Sequence, residues 1–360
     1  MTPSTIAGVP TPALIVDAGA LDRNIARMAG FFAAGACRLR PHVKAHKTPA
    51  IARRQLAAGS CAGLTCATVL EAEAVAGFCD DLLIANEIVT ADKCGRAAAL
   101  ASSRRVTVAV DSEEGLDALA RAARAAGTIL GVLIDLNVGQ MRCGVAPGAP
   151  AIALASRAAG MPGLELRGVM GYEGHVQPVR DRADRTAQAR RAMAALVDTA
   201  AQVRAAGLPC PIVSAGGTGT YDISGRVSGV TEIQAGSYVL MDTDYDDVGV
   251  GFEQAFFVLG TIVSRPAADR CVADAGHKST TKDHGLPRVH GVAGAVVTSL
   301  NDEHATIAIP PDCPLRIGDR VRLVPSHTDP TVNLHDVLYA FDGDRVVDVW
   351  PVAARGYGRQ

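Results

Sequence analysis

The strongest constraint on the fold is an alternation of short apolar runs with alanine-rich amphipathic stretches over about the first 245 of 360 residues. Strand-like runs that alternate with helices predict βα units and a parallel sheet. Nine runs have the character of strands, namely Ala13–Asp17, 38–43, 62–67, 82–86, Arg105–Val110, 130–137, 166–171, 211–215 and 232–235. Amphipathic helical segments lie between most of them, with clear examples at 20–34, 49–58, 112–126 and 182–206.

A (β/α)8 barrel of the TIM type is the predicted α/β architecture, because open sheets usually stop at about six strands and a closed barrel needs eight. The first run, Ala13–Asp17, is then the spare strand, which could pair with a later β domain. After about residue 245 helical stretches vanish, and Gly, Pro and Asp turns separate strand-like runs at 256–264, 270–275, 294–300, 305–309, 320–325, 337–341 and 345–349. The predicted organisation is an N-terminal segment (1–17), a barrel (18–245) and a C-terminal all-β domain (246–360).

Charge and cysteine content argue against several classes of protein. The 35 basic and 37 acidic residues give a net charge of −2, which offers no electrostatic basis for binding nucleic acid or an anionic membrane. No apolar run approaches the roughly 18–20 residues that cross a bilayer. The nine cysteines include no CxxC pair, and residues 1–12 show no signal-peptide pattern. The sequence therefore predicts a reduced, cytoplasmic enzyme or binding protein.

The segment RPHVKAHK (40–47) closes the first predicted barrel strand, and barrel active sites are built at such strand ends. Lys44 falls where a side chain would leave the strand and face the barrel mouth. A desolvated lysine near other cations can form a Schiff base. A basic, solvated loop is the alternative, and the strand-end position with two neighbouring histidines leaves both interpretations open.

Glycine-rich segments follow the last two predicted barrel strands, with the sequences VSAGGTGT (213–220) and QAGSY (234–238). Such loops let backbone N–H groups approach a phosphate closely, and Ser or Thr hydroxyls add donors. Barrel proteins commonly bind phosphate after strands seven and eight. Either cluster alone is typical of a tight turn, but the two together favour a phosphate-bearing cofactor.

Two further strand ends carry polar side chains. Arg142, after the fifth predicted strand, could donate to an oxyanion on a cofactor ring or could be a surface arginine. Tyr172 and His175, after the sixth strand, would reach the barrel mouth. Histidine titrates near neutrality, so His175 could act as a base, although a hydrogen-bonded structural histidine is equally compatible with the sequence.

The segment PSHTDP (325–330) offers a pair of metal ligands. In an extended segment residues two apart share a face, so His327 and Asp329 could grip one divalent ion and leave positions for water or substrate. An HxD pattern by itself is more typical of a polar loop.

A rival metal site is formed by acidic residues at the first, third, fifth and twelfth positions of a calcium-loop spacing: Asp242, Asp244, Asp246 and Glu253. The sixth position is Asp247, where that loop needs glycine for its sharp turn. The run is therefore interpreted as an acidic connection between the domains rather than as a calcium site.

These motifs, taken in order, resemble the group of D-threonine aldolases and D-serine dehydratases, which share the fold-type III pyridoxal-phosphate barrel of alanine racemases. The resemblance runs from TPAL (11–14) to ARG (354–356), nearly the whole chain. It rests on RPHVK (40–44), RCGV (142–145), GYEGH (171–175), SAGGT (214–218) and HTD (327–329). It also implies a homodimer.

The resemblance assigns roles to individual residues. Lys44 would carry pyridoxal 5'-phosphate in a Schiff base, Lys47 would be an ordinary loop lysine, and Arg142 would contact the cofactor ring oxygen. The phosphate would be held, and the cofactor site lined, by Gly217, Thr218, Gly236, Ser237, Tyr172 and Tyr238. A divalent metal, Mn²⁺ or Mg²⁺ in preference to Zn²⁺, would bind His327 and Asp329.

The metal pair separates activities within this group. Dehydratases resemble His-x-Cys, with a thiolate suited to zinc, whereas aldolases resemble His-x-Asp, with an oxygen ligand suited to manganese or magnesium. Asp329 therefore favours an aldolase that cleaves D-β-hydroxy-α-amino acids such as D-threonine to glycine and an aldehyde, with His175 removing the hydroxyl proton. The alternatives are metal-dependent elimination, cleavage of D-3-hydroxyaspartate, and a non-enzymatic role in pyridoxal phosphate homeostasis.

Overall fold

The computed structural model describes residues 3–356, so the outer ends of the expected N-terminal segment (1–2) and β domain (357–360) lie outside the described part. The chain divides into two compact units. One comprises residues 3–26, 45–51 and 237–356, and the other comprises residues 27–44 and 52–236. The first strand of the chain therefore belongs to the unit that contains the C-terminal strands.

The described strands and helices are as follows. The strands are β1 (Ala13–Asp17), β2 (Arg38–Leu39), β3 (Leu64–Cys66), β4 (Asp81–Glu87), β5 (Arg105–Val110), β6 (Leu130–Asp135), β7 (Leu164–Gly171), β8 (Ile212–Ala215), β9 (Glu232–Ile233), β10 (Phe256–Ala267), β11 (Arg270–Ala273), β12 (Arg288–His290), β13 (Val296–Leu300), β14 (Ala305–Ala308), β15 (Arg320–Val324), β16 (Val337–Asp342) and β17 (Arg345–Pro351). The α-helices are α1 (Ala18–Phe32), α2 (Pro49–Ala57), α3 (Val69–Val75), α4 (Ala91–Leu100), α5 (Glu113–Ala126), α6 (Ala149–Ala159), α7 (Arg182–Ala205), α8 (Tyr221–Ser224), α9 (Thr243–Val248) and α10 (Thr328–Val332). Single 3-10 turns lie at Ile6–Gly8, Val43–Ala45, Gly174–Val176 and Ser237–Val239.

Strands β2 to β9 form a parallel sheet in the order β2-β9-β8-β7-β6-β5-β4-β3. The two end strands of this order also meet, because the amide of Ala62 donates to the carbonyl of Leu39 at 2.7 Å and the amide of Thr65 donates to the carbonyl of Pro41 at 2.8 Å. The sheet thus closes on itself, and the predicted (β/α)8 barrel is confirmed.

The βα units follow from local sequence signals, as α5 shows. Ser112 caps the helix by accepting a hydrogen bond from the amide of Gly115 at 3.2 Å, and Gly127 ends it in the left-handed conformation at φ 65°. The next strand, β6, is buried along its whole length. Leu133 of β6 belongs to a buried apolar cluster with residues of β4, β5 and β7, and Asp135, two residues later, lies on the same face of the strand. Asp135 therefore places a carboxylate at the C-terminal end of β6, next to this apolar cluster.

The other unit contains a mainly antiparallel sheet in the order β11-β14-β13-β12-β15-β10-β1-β16-β17, and β10 also pairs with β11. β1 runs antiparallel to β10 and parallel to β16. The predicted C-terminal all-β fold is confirmed, but the expectation that helices vanish after about residue 245 is wrong, because α10 interrupts the strands. Among residues 3–356, no helix combines the length and apolar character needed to span a membrane.

Candidate active site

Lys44 lies just beyond the first barrel strand, in the turn Val43–Ala45, and its side chain is half-buried. The strand expected at 38–43 is shorter than predicted, because β2 ends at Leu39. Beyond it, the amide of His42 still donates to the carbonyl of Ala235 at 3.0 Å. The amide of Lys44 then donates to Nδ1 of His42 at 3.4 Å, so the extended segment ends in a tight turn at the lysine.

Arg40 fixes the strand that leads to Lys44. Its guanidinium is 3% exposed and forms ion pairs with Asp81 at 2.8 Å and Glu232 at 2.9 Å. Burial alone would lower the pKa of Arg40, but the carboxylates of Glu232 and Asp81 raise it. A buried, doubly paired cation thus ties β2 to β9 and to the start of β4.

Arg142 and Tyr172, both predicted cofactor contacts, are brought together by the barrel. Arg142 follows β6 and is exposed, whereas Tyr172 follows β7 and is partly buried. The guanidinium carbon of Arg142 lies 5.8 Å from the ring centroid of Tyr172. A cation in this position is attracted to the face of the ring. A cationic group and a phenolic group therefore lie close together, beyond the ends of the neighbouring strands β6 and β7.

Three carboxylates that sequence reasoning missed lie at neighbouring strand ends, and the thiol of Cys143 lies near two of them in the loop after β6. One donor atom from each of Glu87, Asp111 and Cys143 lies within 4.8 Å of the others. Asp135 joins them, and burial, followed by the charges of Glu87 and Asp111, raises its pKa to about 8, while Arg142 opposes the rise. The signal was present in the sequence, because each carboxylate stands where a parallel strand ends and active-site groups are commonly found.

His175 lies in the turn Gly174–Val176 after β7 and is exposed. Its ring packs closely against Gly139, where a Cβ atom would stand 2.7 Å from Cε1 and 2.8 Å from Nε2 of the imidazole. Gly139 also has a φ of +123°, which favours glycine. The loop after β6 thus sets the place of the histidine ring.

Glu173, inside the GYEGH motif, is a further residue that sequence reasoning missed. Its fully buried carboxylate accepts hydrogen bonds from the amide of Gly216 at 3.1 Å and from the hydroxyls of Thr220 at 2.7 Å and Ser224 at 2.6 Å. Gln177 donates to the same Thr220 hydroxyl at 2.9 Å. The glycine-rich loop after β8 is therefore held from behind by buried polar side chains.

Gly217 and Thr218, predicted to hold phosphate, lie in this loop, and Thr218 is buried. A Cβ on Gly217 would come 2.7 Å from Oε1 of Gln177, and one on Gly219 would come 2.6 Å from the Gln177 carbonyl oxygen. The backbone contact therefore requires glycine at 219, and a side chain at 217 would displace the amide group of Gln177. A loop without side-chain bulk leaves backbone N–H groups that can approach a phosphate group closely.

The second predicted phosphate segment stands where the chain passes from one unit to the other, with Gly236 ending the barrel segment and Ser237 beginning the next. Ser237 opens the 3-10 turn Ser237–Val239. Tyr238 is fully buried, with its ring centroid 5.5 Å from that of Phe252. The roles of these residues toward a cofactor stay predictions.

His327 and Asp329, the predicted metal pair, do not lie in an extended segment, and that expectation is wrong. His327 has extended backbone angles but is the N-cap residue of α10, and Asp329 stands in the first turn of this helix. The physical reason is Asp242, whose buried carboxylate accepts hydrogen bonds from the amide and the hydroxyl of Thr328, both at 3.1 Å. Tertiary hydrogen bonds thus wind the HTD segment into a turn.

His327 belongs to one of two neighbouring aspartate–histidine pairs. Nδ1 of His327 lies 2.6 Å from Oδ2 of Asp283, and Nδ1 of His284 lies 2.6 Å from Oδ2 of Asp244. The two imidazole rings are stacked, with centroids 4.2 Å apart and planes 9° from parallel. Asp283, His284 and His327 each offer a donor atom within 4.8 Å of the others. The sequence contained only the dipeptide Asp283-His284 as a signal.

The four acidic residues in calcium-loop spacing each have a different polar partner. Asp242 caps α9 at the amide of Tyr245, Asp244 pairs with His284, Asp246 with Arg288, and Glu253 with Arg23. Each of the four carboxylates therefore has a local partner, and the interpretation of the run as an acidic connection stays a prediction.

The donor sets fit the groups that the motifs imply. Nδ1 of His327 lies beside the carboxylate of Asp283, so Nε2 would be the nitrogen that offers a lone pair to a metal, as in many metal-binding histidines. Burial by itself would raise the pKa of Asp283, but hydrogen bonds from His327 and Thr281 and the charges of His327 and His284 lower it, so it is an anion. Imidazole with carboxylate oxygens suits a divalent ion of the Mn²⁺ type. The half-buried Lys44, with the arginine and the glycine loop, suits pyridoxal phosphate.

Fold and site together define an alanine racemase-like barrel protein with a lysine at the end of its first barrel strand and a C-terminal β domain. Residues 16–244 match the alanine racemase N-terminal domain family, and residues 255–341 match a serine dehydratase domain family. The chain is 39% identical to the D-threonine aldolase of Arthrobacter sp., over 98% of this chain and 95% of that protein. It is 36% identical to the 3-hydroxy-D-aspartate aldolase of Paracoccus denitrificans, over 97% and 93%. The chain belongs to the D-threonine aldolase and D-serine dehydratase-like family, and the named aldolases among its relatives are carbon–carbon lyases.

Solved structures give the same result. The D-threonine aldolase from Filomicrobium marinum superposes with a TM-score of 0.94 at 38% identity, covering 99% of each chain. The D-threo-3-hydroxyaspartate dehydratase from Delftia sp. HT23 superposes with a TM-score of 0.89 at 31% identity, covering 99% of this chain and 100% of the other. Two further structures of such a dehydratase are a histidine-to-alanine variant and, two positions later, a cysteine-to-alanine variant in the metal-free form.

Proposed function

We propose that the chain is a lyase that depends on pyridoxal 5'-phosphate and a divalent metal and cleaves D-β-hydroxy-α-amino acids, represented by D-threonine, to glycine and an aldehyde. The observation that carries the proposal is the pair His327 and Asp329, an imidazole followed two positions later by an oxygen donor. The dehydratase relatives support the contrast, because the variants described for them concern a histidine and a cysteine at the same spacing. Relatives named as aldolases over nearly the full chain support the reaction type.

The proposed cofactor contacts are those at the barrel strand ends. The amine of Lys44 would bind the cofactor, Arg142 would donate to its ring oxygen, and Tyr172 would line the site together with Tyr238. The phosphate contacts would be Gly217, Thr218, Gly236 and Ser237. The bound groups supply two effects, withdrawal of electrons from Cα by the cofactor ring and a lowered pKa of the β-hydroxyl by the metal.

The chain's own residues would complete the reaction. His175 takes the proton of the β-hydroxyl, and its exposed ring, seated on Gly139, is free to meet a substrate. The Cα–Cβ bond then breaks, its electron pair stays on Cα, and the former hydroxyl carbon leaves as an aldehyde. One proton, equal to the one that His175 takes from the hydroxyl, would return to Cα to complete glycine, and Lys44 would hold the cofactor between turnovers.

Manganese is the proposed metal, with magnesium as the second choice, because an oxygen donor accompanies the imidazole. We also propose that the protein is a cytoplasmic homodimer, as the family resemblance implies. Its partner molecule is a small amino acid substrate, and neither nucleic acid nor a membrane is expected to bind.

The test uses purified protein loaded with pyridoxal phosphate and Mn²⁺ and supplied with D-threonine, D-3-hydroxyaspartate or D-serine, with and without a chelator. Acetaldehyde and glycine should form from D-threonine and disappear with the chelator, and L-threonine is the matched control. The Lys44→Ala variant should lose the visible absorbance of bound cofactor. The Asp329→Ala variant should keep that absorbance and lose the metal-dependent activity.

Elimination to a keto acid is the second candidate, because the dehydratase from Delftia sp. HT23 shares the fold over the full chain. Appearance of 2-oxobutanoate alone from D-threonine would establish it in place of cleavage. Binding of the cofactor without turnover of any of the three substrates in Mn²⁺ would instead support a role in cofactor homeostasis.

A further inference from the structure

We propose that Asp283 is a positioning residue that makes Nε2 of His327 the metal-donor atom, and that His284, paired with Asp244, braces the ring of His327 without binding the ion. This inference rests on the proposed metal-dependent function. It assigns roles to three residues outside the HTD motif.

A hydrogen bond joins Asp283 and His327. The distance of 2.6 Å from Oδ2 of Asp283 to Nδ1 of His327 is short for a hydrogen bond. An ionised carboxylate only accepts, so Nδ1 of His327 must carry the proton. The lone pair of a neutral ring then resides on Nε2, which fixes both the tautomer and the direction in which the ring can bind a metal.

Thr281, two residues before Asp283, is hydrogen-bonded to α10, the helix whose N-cap residue is His327. The amide of Thr281 donates to Oγ1 of Thr331 in α10 at 3.3 Å, and the two hydroxyls lie 3.2 Å apart. The hydroxyl of Thr331 in turn donates to the carbonyl of His327 at 2.9 Å. The segment that contains Asp283 and the residue His327 are therefore linked through the hydrogen bonds of Thr331.

The orientation of its ring indicates that His284 does not bind the same ion as His327. A metal lies close to the plane of an imidazole that binds it, because the nitrogen lone pair is in that plane. The rings of His284 and His327 are only 9° from parallel with centroids 4.2 Å apart, so one ion cannot lie in both planes nearby. Nδ1 of His284 faces Asp244 at 2.6 Å, and its Nε2 lies 3.9 Å from Oδ2 of Asp283. His284 thus covers one face of the His327 ring.

The experiment measures Mn²⁺ affinity by isothermal titration calorimetry on the cofactor-loaded protein. The variants are Asp283→Ala, Asp283→Asn, His284→Phe and His327→Ala. The matched control is Glu303→Gln, since Glu303 is an exposed carboxylate that pairs with Lys278 in the same region. Removing an outer partner of a metal-binding histidine typically weakens affinity by about 10–100-fold.

We expect Asp283→Ala to fall in that range, and Asp283→Asn to bind within a few-fold of wild type because its amide oxygen can still accept from Nδ1. His284→Phe keeps a stacking ring and removes any donor, so its affinity should also stay within a few-fold of wild type. Wild-type affinity in Asp283→Ala, or loss in His284→Phe equal to that in His327→Ala, would overturn the inference. Unchanged affinity in His327→Ala would instead refute the metal site of the proposed function.

A second measurement does not use the Asp283→Ala variant. Nitrogen NMR of histidine-labelled wild-type protein, with the His327 signal identified by its absence from His327→Ala, reports which ring nitrogen carries the proton. The metal-free protein should show His327 as the Nδ1–H tautomer. A predominant Nε2–H tautomer would contradict the proposed role of Asp283.

Discussion

The hydroxyl of Thr220 donates a 2.7 Å hydrogen bond to Oε1 of Glu173, which joins the loop after β8 to the end of β7. The same carboxylate oxygen accepts from the hydroxyl of Ser224 at 2.6 Å. Its second oxygen accepts from the amide of Gly216 at 3.1 Å. A single buried anion thus organises the loop in which the phosphate of a cofactor is proposed to bind.

Replacing Glu173 with Gln should weaken cofactor binding. The amide group of Gln cannot accept the bonds that one carboxylate oxygen now accepts, so buried donors lose partners at a cost of about 1–3 kcal/mol. Titration of the apoprotein with pyridoxal phosphate, followed by absorbance, should show a raised Kd. Ser224→Ala is the matched control, because it removes one donor and leaves the carboxylate in place. A Kd for Glu173→Gln no higher than that of Ser224→Ala would show that the loop does not depend on this anion.

Replacing Gly139 with Ala should displace His175. The new Cβ would stand 2.7 Å from Cε1 of the ring at a backbone φ of +123°, so the ring or the loop must move. If His175 takes the substrate proton, kcat should fall by up to about 10²–10⁴-fold, the range that general bases contribute, while cofactor absorbance is retained. Gly127→Ala is the control, because Gly127 also has a positive φ, at +65°, but a Cβ there meets open space. Equal kcat values in the two variants would argue against His175 as the base.

The raised pKa of Asp135 predicts a pH dependence of stability. Its pKa rises from 3.8 to about 8, chiefly because of burial, so between these values the folded protein binds more protons at this site than the unfolded chain. The stability contributed by this group is therefore fully present at low pH and is lost as the pH rises towards about 8. In the Asp135→Asn variant, the Tm should fall less than in wild type over about pH 5 to 9 at constant ionic strength.

The control for this experiment is Asp117→Asn, because Asp117 is half-exposed and pairs with Arg157 at 2.9 Å. Its Tm should differ from wild type by a constant offset across the pH range. Parallel Tm curves for wild type and Asp135→Asn would mean that Asp135 is ionised throughout.

The sequence predicted the parts of the fold that local patterns determine. The bounds of β1 (Ala13–Asp17) and β5 (Arg105–Val110) agree with the predicted runs, because both are continuous apolar or β-branched stretches between polar residues. Lys44, Arg142 and His175 were placed at strand ends for the same reason. α10 was missed because its sequence, TDPTV, contains proline and β-branched residues, which are weak helix formers.

Contacts between distant segments could not be predicted from one sequence. Asp283 meets His327 across 44 positions, and Asp242 meets Thr328 across 86. Neither aspartate stands in a motif with its partner. A short acidic loop segment becomes informative only when the fold brings it against a histidine.

The contact between Asp242 and Thr328 leads to the last prediction. Asp242 accepts from the amide of Tyr245 at 3.0 Å, which caps α9, and from the amide and hydroxyl of Thr328, which starts α10. In Asp242→Asn the amide group cannot accept at one of these positions, so buried donors on one helix are left unpaired at a cost of about 1–3 kcal/mol. Because α10 carries His327 and Asp329, both the free energy of unfolding in urea and the Mn²⁺ affinity should decrease.

Asp246→Asn is the matched control, since Asp246 is exposed and its ion pair with Arg288 spans 3.3 Å, and surface pairs contribute about 0–1 kcal/mol. Loss of stability with unchanged Mn²⁺ affinity in Asp242→Asn would mean that the metal pair does not depend on the turn at Thr328.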